Sequence, residues 1–289
     1  MSRGAGRRTT ELIESARDIL AEIQPCSVRA VCYRLFAAGR IPNMHRNSTN
    51  MVSRLLTDAR EKGIIPWTHI VDESRGAEYI PSWTSPTDLI ASAIRQYRKN
   101  YWCAQPYQVE IWSEKGTIRG TLASVLDEYG LTFRVMHGYA SATVINDVAE
   151  LSTDIQKPLV VLYVGDWDPS GKHMSDVDLP GRLARYGGTL TVRRVALVDE
   201  DLDGLPSFDL ETKAKDPRYQ WFRRNVGDIC YELDAMPPPL LRERVEAEIR
   251  HYLDLDQWAH DQMIEAAEVE SMETFHKSWQ ASLCSGERT

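Results

Sequence analysis

Apolar positions over the first hundred residues recur at helical spacing in short blocks. In residues 9–24, "TTELIESARDILAEIQ", Leu12, Ile13, Ala16, Ile19, Leu20 and Ile23 share one helical face behind a Thr cap. Pro25 ends that helix, Ser27 caps a second over "SVRAVCYRLFAAG", and Gly39 stops it. After "RIPNMHRN" the pattern predicts a third helix from Ser48 to Lys62, closed by Gly63. Two β-rich runs, Ile64 to Val71 and Ala77 to Ile80, flank a polar turn and predict a hairpin. Three helices and a hairpin follow the order of a winged helix-turn-helix, expected over residues 1–83. In that layout the third helix enters a DNA groove, which nominates Arg46, Asn47, Asn50, Arg54 and Arg60 as nucleic-acid contacts. A small helical bundle with a solvated basic face would carry the same pattern.

"SWTSPTD" then opens a linker segment, 84–106, with a helix over about 87–100. The grammar changes beyond it. Apolar runs "YQVEIW", "LTFRVM", "PLVVLYV" and "TLTVRRVALV" alternate with helical stretches at 116–129, 140–155 and 170–186. Near-continuously apolar strands separated by helices predict an α/β domain, here 107–252, with a mostly parallel sheet covered on both faces. The chain continues through "ICYEL" and a proline run into acidic amphipathic helix over about 240–276, so 253–289 reads as a helical tail.

Composition narrows the classes. The 289 residues are 43% apolar and 26% charged, a globular balance. No run approaches the roughly 18 uncharged residues of a membrane helix. The basic N-terminus has no apolar segment behind it, so a secretion signal is not expected. Five scattered cysteines without a CxxC pair suggest a reducing, cytoplasmic setting and no disulfide framework. The net charge of −8 hides an asymmetry: residues 1–100 hold 15 basic against 10 acidic side chains, the remainder 19 against 32. A basic front suits phosphate backbones and an acidic back suits hard cations.

Candidate chemistry gathers at two strand ends. Glu114, in "VEIWSEKGTIRG", follows one strand with Gly116 relieving the turn. Asp166 and Asp168, in "LVVLYVGDWDPSG", follow the most hydrophobic strand. Three converging carboxylates repel unless a cation such as Mg²⁺ sits between them. A lone DxD occurs in several phosphoryl- and sugar-transfer sheets; haloacid-dehalogenase-type phosphatases want a Thr two residues on, where this chain has Ser170.

The pair "SEKG" and "GDWDPSG" resembles the two motifs of the Toprim domain. More narrowly, the form D-x-D-P-x-G resembles the A subunit of topoisomerase VI and the related meiotic double-strand-break protein, whose Toprim domain follows a winged helix. "SVRAVCYRLF" matches that family's R-x-x-Y-Y pattern at Arg29 and Tyr33, with Cys32 in place of the first Tyr, and "ICYELDAM" is similar to its later strand-to-helix segment. The resemblance implies a homodimer that binds duplex DNA and holds Mg²⁺ or Mn²⁺ at Glu114, Asp166 and Asp168. Tyr33 would attack phosphorus, Arg29 would favour its phenolate, Glu114 would assist proton transfer, and Glu232 would stand beside the metal. No Walker A sequence is present, so ATP coupling would need a separate subunit.

Two other classes remain at this point: a Toprim nuclease using metal-activated water, and a non-catalytic DNA-binding subunit. Elsewhere, "VDEDLDG" reads as a solvated turn, His173 as a helix-surface residue, and "KAKDPRYQWFRRN" as either a strand-binding surface or a charged amphipathic helix.

Overall fold

The computed structural model describes residues 3–71, 80–136, 142–155 and 157–286. The chain opens with α1 (Arg3–Ile23), a short strand β1 (Cys26–Ser27), α2 (Val28–Ala37), α3 (Arg46–Glu61) and a second short strand β2 (Ile70–Val71). Leu12, Ala16, Leu20 and Ile23 of α1 pack with Val31 and Leu35 of α2 and with Val52 and Leu56 of α3 in one core. The predicted apolar face of the first helix is therefore the buried one. Ser27 caps α2 as expected, its Oγ accepting from Ala30 N at 3.0 Å. The third helix begins two residues before Ser48, whose hydroxyl instead bonds Asn43 Oδ1 at 2.8 Å.

The expected hairpin falls partly outside the described residues. The run from Ile64 forms a helical turn at Trp67–His69 before β2, and β2 pairs in parallel with β1, Cys26 opposite Ile70. Most of the second run, Ala77 to Tyr79, lies outside the described residues.

After α4 (Pro86–Gln96) come β3 (Gln108–Ser113), α5 (Thr117–Thr121), α6 (Ala123–Tyr129), β4 (Thr132–Val135), α7 (Ala142–Asp154) and β5 (Leu159–Val164). The chain proceeds through α8 (Pro169–His173), a wider helical turn at Met174–Asp178, α9 (Leu179–Arg185) and β6 (Leu190–Ala196). These strands form a parallel four-stranded sheet in the order β4-β3-β5-β6, so the architecture is α/β with a large helical share. Strands β4, β5 and β6 fall inside runs the sequence marked, and β3 ends one residue past its run, at Ser113. All six residues of β5 are buried, which is why its sequence is continuously apolar rather than alternating. Trp112, Ile145, Val161, Tyr163 and Leu179 share the core of this part.

A two-stranded antiparallel sheet of β7 (Ser207–Asp209) and β8 (Ile229–Tyr231) flanks α10 (Tyr219–Asn225), and α11 (Pro238–His251) and α12 (Leu255–Gly286) complete the chain. By contacts the chain divides into two units, Met1–Ser74 with Val109–His251, and Arg75–Gln108 with Tyr252–Thr289. These groupings cut across the boundaries expected from sequence. In the first unit the N-terminal helices and the sheet belong together. Gly120 of α5 marks how closely they pack, since a Cβ there would collide with the Val71 side chain. In the second, α4 packs on α12, Tyr97 Oη donates to Glu268 at 2.5 Å, and Tyr101 meets the Trp258 ring edge-on at 4.7 Å.

Candidate functional site

The strand-end carboxylates are set by backbone first. Glu114 follows β3, and its Oε1 accepts from Asp166 N at 3.4 Å across the neighbouring strand end. Gly116 has φ −64 and ψ −28, an ordinary helical geometry, so it relieves no strain and the expectation for it is corrected. Asp168 caps α8, Oδ1 accepting from Gly171 N at 2.8 Å. Gly171 is required by proximity: a Cβ there would strike the Asp166 carbonyl oxygen. Beneath the loop, the enclosed Arg194 donates to the carbonyls of Gly165, Asp166 and Leu197 and to Ser175 Oγ, at 2.9 to 3.1 Å.

The three carboxylates interact, as the spacing implied. Burial first, and then Asp166 and Asp168, push the Glu114 carboxyl up to about 7. Burial also raises Asp166 against the pull of Lys115. The counter-charges come from the protein itself. Lys115 Nζ sits 2.8 Å from Asp166 Oδ1 and 2.9 Å from Asp234 Oδ2, and Asp166 Oδ1 also accepts from Leu233 N at 2.8 Å. Burial opposes the Lys115 charge, yet Asp166 and Asp234 outweigh it and hold the ammonium above the usual lysine range. On the other side, Lys213 Nζ meets Asp168 Oδ2 at 2.8 Å.

The N-terminal helices close this site. Ser27 Oγ donates to Asp234, Arg29 makes a two-pronged ion pair with Glu232, and Arg34 donates to the Ala235 carbonyl. Ser27, Arg29, Lys115, Thr117, Asp166, Glu232 and Asp234 line a cavity of about 510 Å³. Glu232 thus binds an arginine rather than standing free for a metal. The guanidinium of Arg29 also lies 5.9 Å from the Tyr33 ring centre. Tyr33 is 3% exposed; burial and the Glu232 charge raise its phenol well above the ordinary value, against Arg29 and Lys115. No family model matches this chain, and no curated protein matches it.

The fit to a metal has two sides. An all-carboxylate set with mutual repulsion is the donor type a hard cation takes. In this arrangement, though, Asp166 and Asp168 are bonded to lysines, and among the described residues no group of three His, Cys, Asp or Glu is placed to hold an ion.

The other nominated residues divide. Arg46, Asn47, Asn50 and Arg54 lie exposed on α3. Arg60 does not join them: it is 8% exposed, its guanidinium 4.8 Å from the Trp67 ring centre. Its helical phase borders that of Val52, Leu56 and Ala59, which face the core. Within "VDEDLDG", Asp201 is enclosed and bonds Arg244 at 2.7 Å and Val198 N at 2.9 Å, so this turn is fastened rather than wholly solvated. In the basic-aromatic cluster Phe222 and Tyr219 are buried, and Trp221 packs edge-on to His173 at 5.0 Å. Sequence reasoning missed Lys115, Asp234, Lys213 and Arg194 as site residues. The only signal was position, Lys115 beside Glu114 and Asp234 two residues after Glu232.

Proposed function

We propose that this protein binds duplex DNA and cleaves it by transesterification, in the manner of the topoisomerase VI A subunit that its sequence resembles. The observation that supports this reading is that α2, which carries Arg29 and Tyr33, is fastened at its start to the segment beside the acidic strand ends, through Arg29–Glu232 and Ser27–Asp234. The Tyr33 oxygen forms a bond to phosphorus as the bond to the 3′-oxygen breaks. The phenol loses one proton and the leaving oxygen gains one, so the step needs no net acid. In this reading Glu114, beside the reacting phosphate, assists that proton transfer. Glu114, Asp166 and Asp168 would hold Mg²⁺ or Mn²⁺, whose charge would stabilise the phosphate oxygens. Arg46, Asn50 and Arg54 of α3 would contact the DNA backbone or groove. The working unit in this reading is a homodimer, with any ATPase on a separate subunit.

The burial of Tyr33 favours a second reading, hydrolysis by metal-activated water, because its phenol is held protonated. One experiment separates them. Supercoiled plasmid is incubated with the protein and Mg²⁺ or Mn²⁺, quenched with detergent, and run with and without protease. Transesterification predicts nicked or linear DNA that enters the gel only after protease, and its loss in Tyr33→Phe. Cleavage indifferent to protease and retained by Tyr33→Phe establishes the hydrolytic reading. An absence of cleavage under all conditions overturns both as activities of this chain alone and leaves a non-catalytic DNA-binding subunit, or one that acts only with its partner.

A further inference from the structure

Among the described residues up to Val71, Trp67 is the most exposed large apolar side chain, at 59%. Tryptophan is on average a highly buried residue, so an indole standing this far out invites a function. Its placement is fixed from both sides. Pro66, at φ −60 and ψ 140, leads into the single helical turn Trp67–His69, and His69 N donates to the Pro66 carbonyl at 3.2 Å. One face of the ring carries the Arg60 guanidinium, 4.8 Å from the ring centre, on a residue that is itself buried. The indole is also in line with the exposed residues of α3. Fourteen residues lie from Arg46 to Arg60, which at about 100° and about 1.5 Å each is about 40° around the helix and about 21 Å along it. At about 3.4 Å per base, that span is about six bases of one strand.

We propose that Trp67 is a stacking platform for an unpaired DNA base at the flank of the duplex that α3 contacts. The inference rests on the DNA-binding reading above and names the DNA that reading favours, a duplex carrying an unpaired base. Every base has a flat face, and stacking it on an aromatic side chain is worth about tenfold in affinity. In an intact duplex those faces are already taken by neighbouring bases, so the platform discriminates against it. Arg60 acts from behind the ring: it holds the indole in one orientation before DNA arrives, which lowers the ordering cost of binding. Arg60 itself need touch no phosphate.

The test is fluorescence anisotropy of the full chain, in chelator, with two labelled DNAs of one sequence: an intact duplex and the same duplex with one bulged base. The wild type should bind the bulged DNA about tenfold more tightly. Trp67→Ala should lose that preference while binding the intact duplex within about twofold of the wild type and with the same salt slope, because no charge is removed. Trp67→Phe keeps an aromatic face and should keep most of the preference. Trp67→Leu is apolar without a flat face and should lose it, which guards against an effect of truncation alone. Equal affinity of the wild type for the two DNAs overturns the platform and leaves the DNA-binding reading standing. A preference retained by both Trp67→Ala and Trp67→Leu does the same. A loss of equal size on both DNAs also overturns it, since the indole would then be a general contact rather than a base platform. No binding of either DNA by the wild type overturns the platform together with the DNA-binding reading.

Discussion

Glu114 illustrates what enclosure does to one side chain. Its carboxyl titrates near 7 in the folded chain against an ordinary value of 4.5, chiefly from burial and then from Asp166 and Asp168. The folded state therefore keeps a proton that the unfolded chain releases. Stability should fall as pH rises from about 4.5 to 7, and the full cost, on the order of 3 kcal/mol, is present above that range. Replacing Glu114 by Gln removes the cost. In chelator, urea unfolding should show Glu114→Gln more stable than the wild type at pH 8 and nearly equal to it at pH 4.5. Asp166 is raised in the same direction and titrates together with Glu114, so the difference reports the pair's shared proton rather than Glu114 alone. A constant difference across that range would show that the acidic cluster holds no extra proton in the folded chain.

At the scale of one element, α3 separates residues that sequence grouped together. Arg46, Asn50 and Arg54 follow one another at four-residue steps on an exposed face, whereas Arg60 has turned toward the core and stacks on Trp67. In the proposed DNA-binding reading, Arg54→Ala should weaken duplex binding to a similar degree across sequences and lower the salt slope of log affinity by about one, read by fluorescence anisotropy. Arg60→Ala should leave that slope unchanged and instead cost about 1 to 2 kcal/mol in thermal or urea unfolding, through lost packing and cation–π contact. The reverse pattern would place the DNA face elsewhere on the helix.

At the scale of the molecule, the N-terminal helices and the sheet belong to one unit although 37 residues of sequence lie between Val71 and Val109. Their fastening is mostly charged: Ser27 and Lys115 both bond the enclosed Asp234, and Arg29 pairs with the more accessible Glu232. Breaking the enclosed partner should cost far more than breaking the accessible one. Asp234→Ala should lose about 3 kcal/mol, since it leaves a lysine and a hydroxyl short of a partner, and Arg29→Ala about 1 kcal/mol or less. Denaturant unfolding followed by two probes, one in each part, should give a single coincident transition in the wild type. Two separated transitions in the wild type would show that the fastening contributes little.

Local chemistry sufficed for much of this protein. Continuous apolar runs marked β5 and most of β3 because strands buried on both faces have no polar side to show, β4 and β6 were marked by β-rich runs that keep exposed positions, and helical spacing marked the core faces of α1 and α2. The acidic strand ends at Glu114, Asp166 and Asp168 were legible because short motifs place them just past hydrophobic runs. What answers their charge was not legible. Lys115 to Asp234, Asp168 to Lys213 and Arg29 to Glu232 are encounters across long stretches of chain, and no periodicity encodes which cation meets which carboxylate. The inward turn of Arg60 and the burial of Tyr33 likewise depend on what packs against each helix. Sequence thus determined the elements and their apolar faces, through short-range sterics and the hydrophobic effect. Tertiary structure decided the pairing of charges and the protonation of Glu114 and Tyr33, because desolvation and Coulomb energy depend on distances that only the folded chain defines.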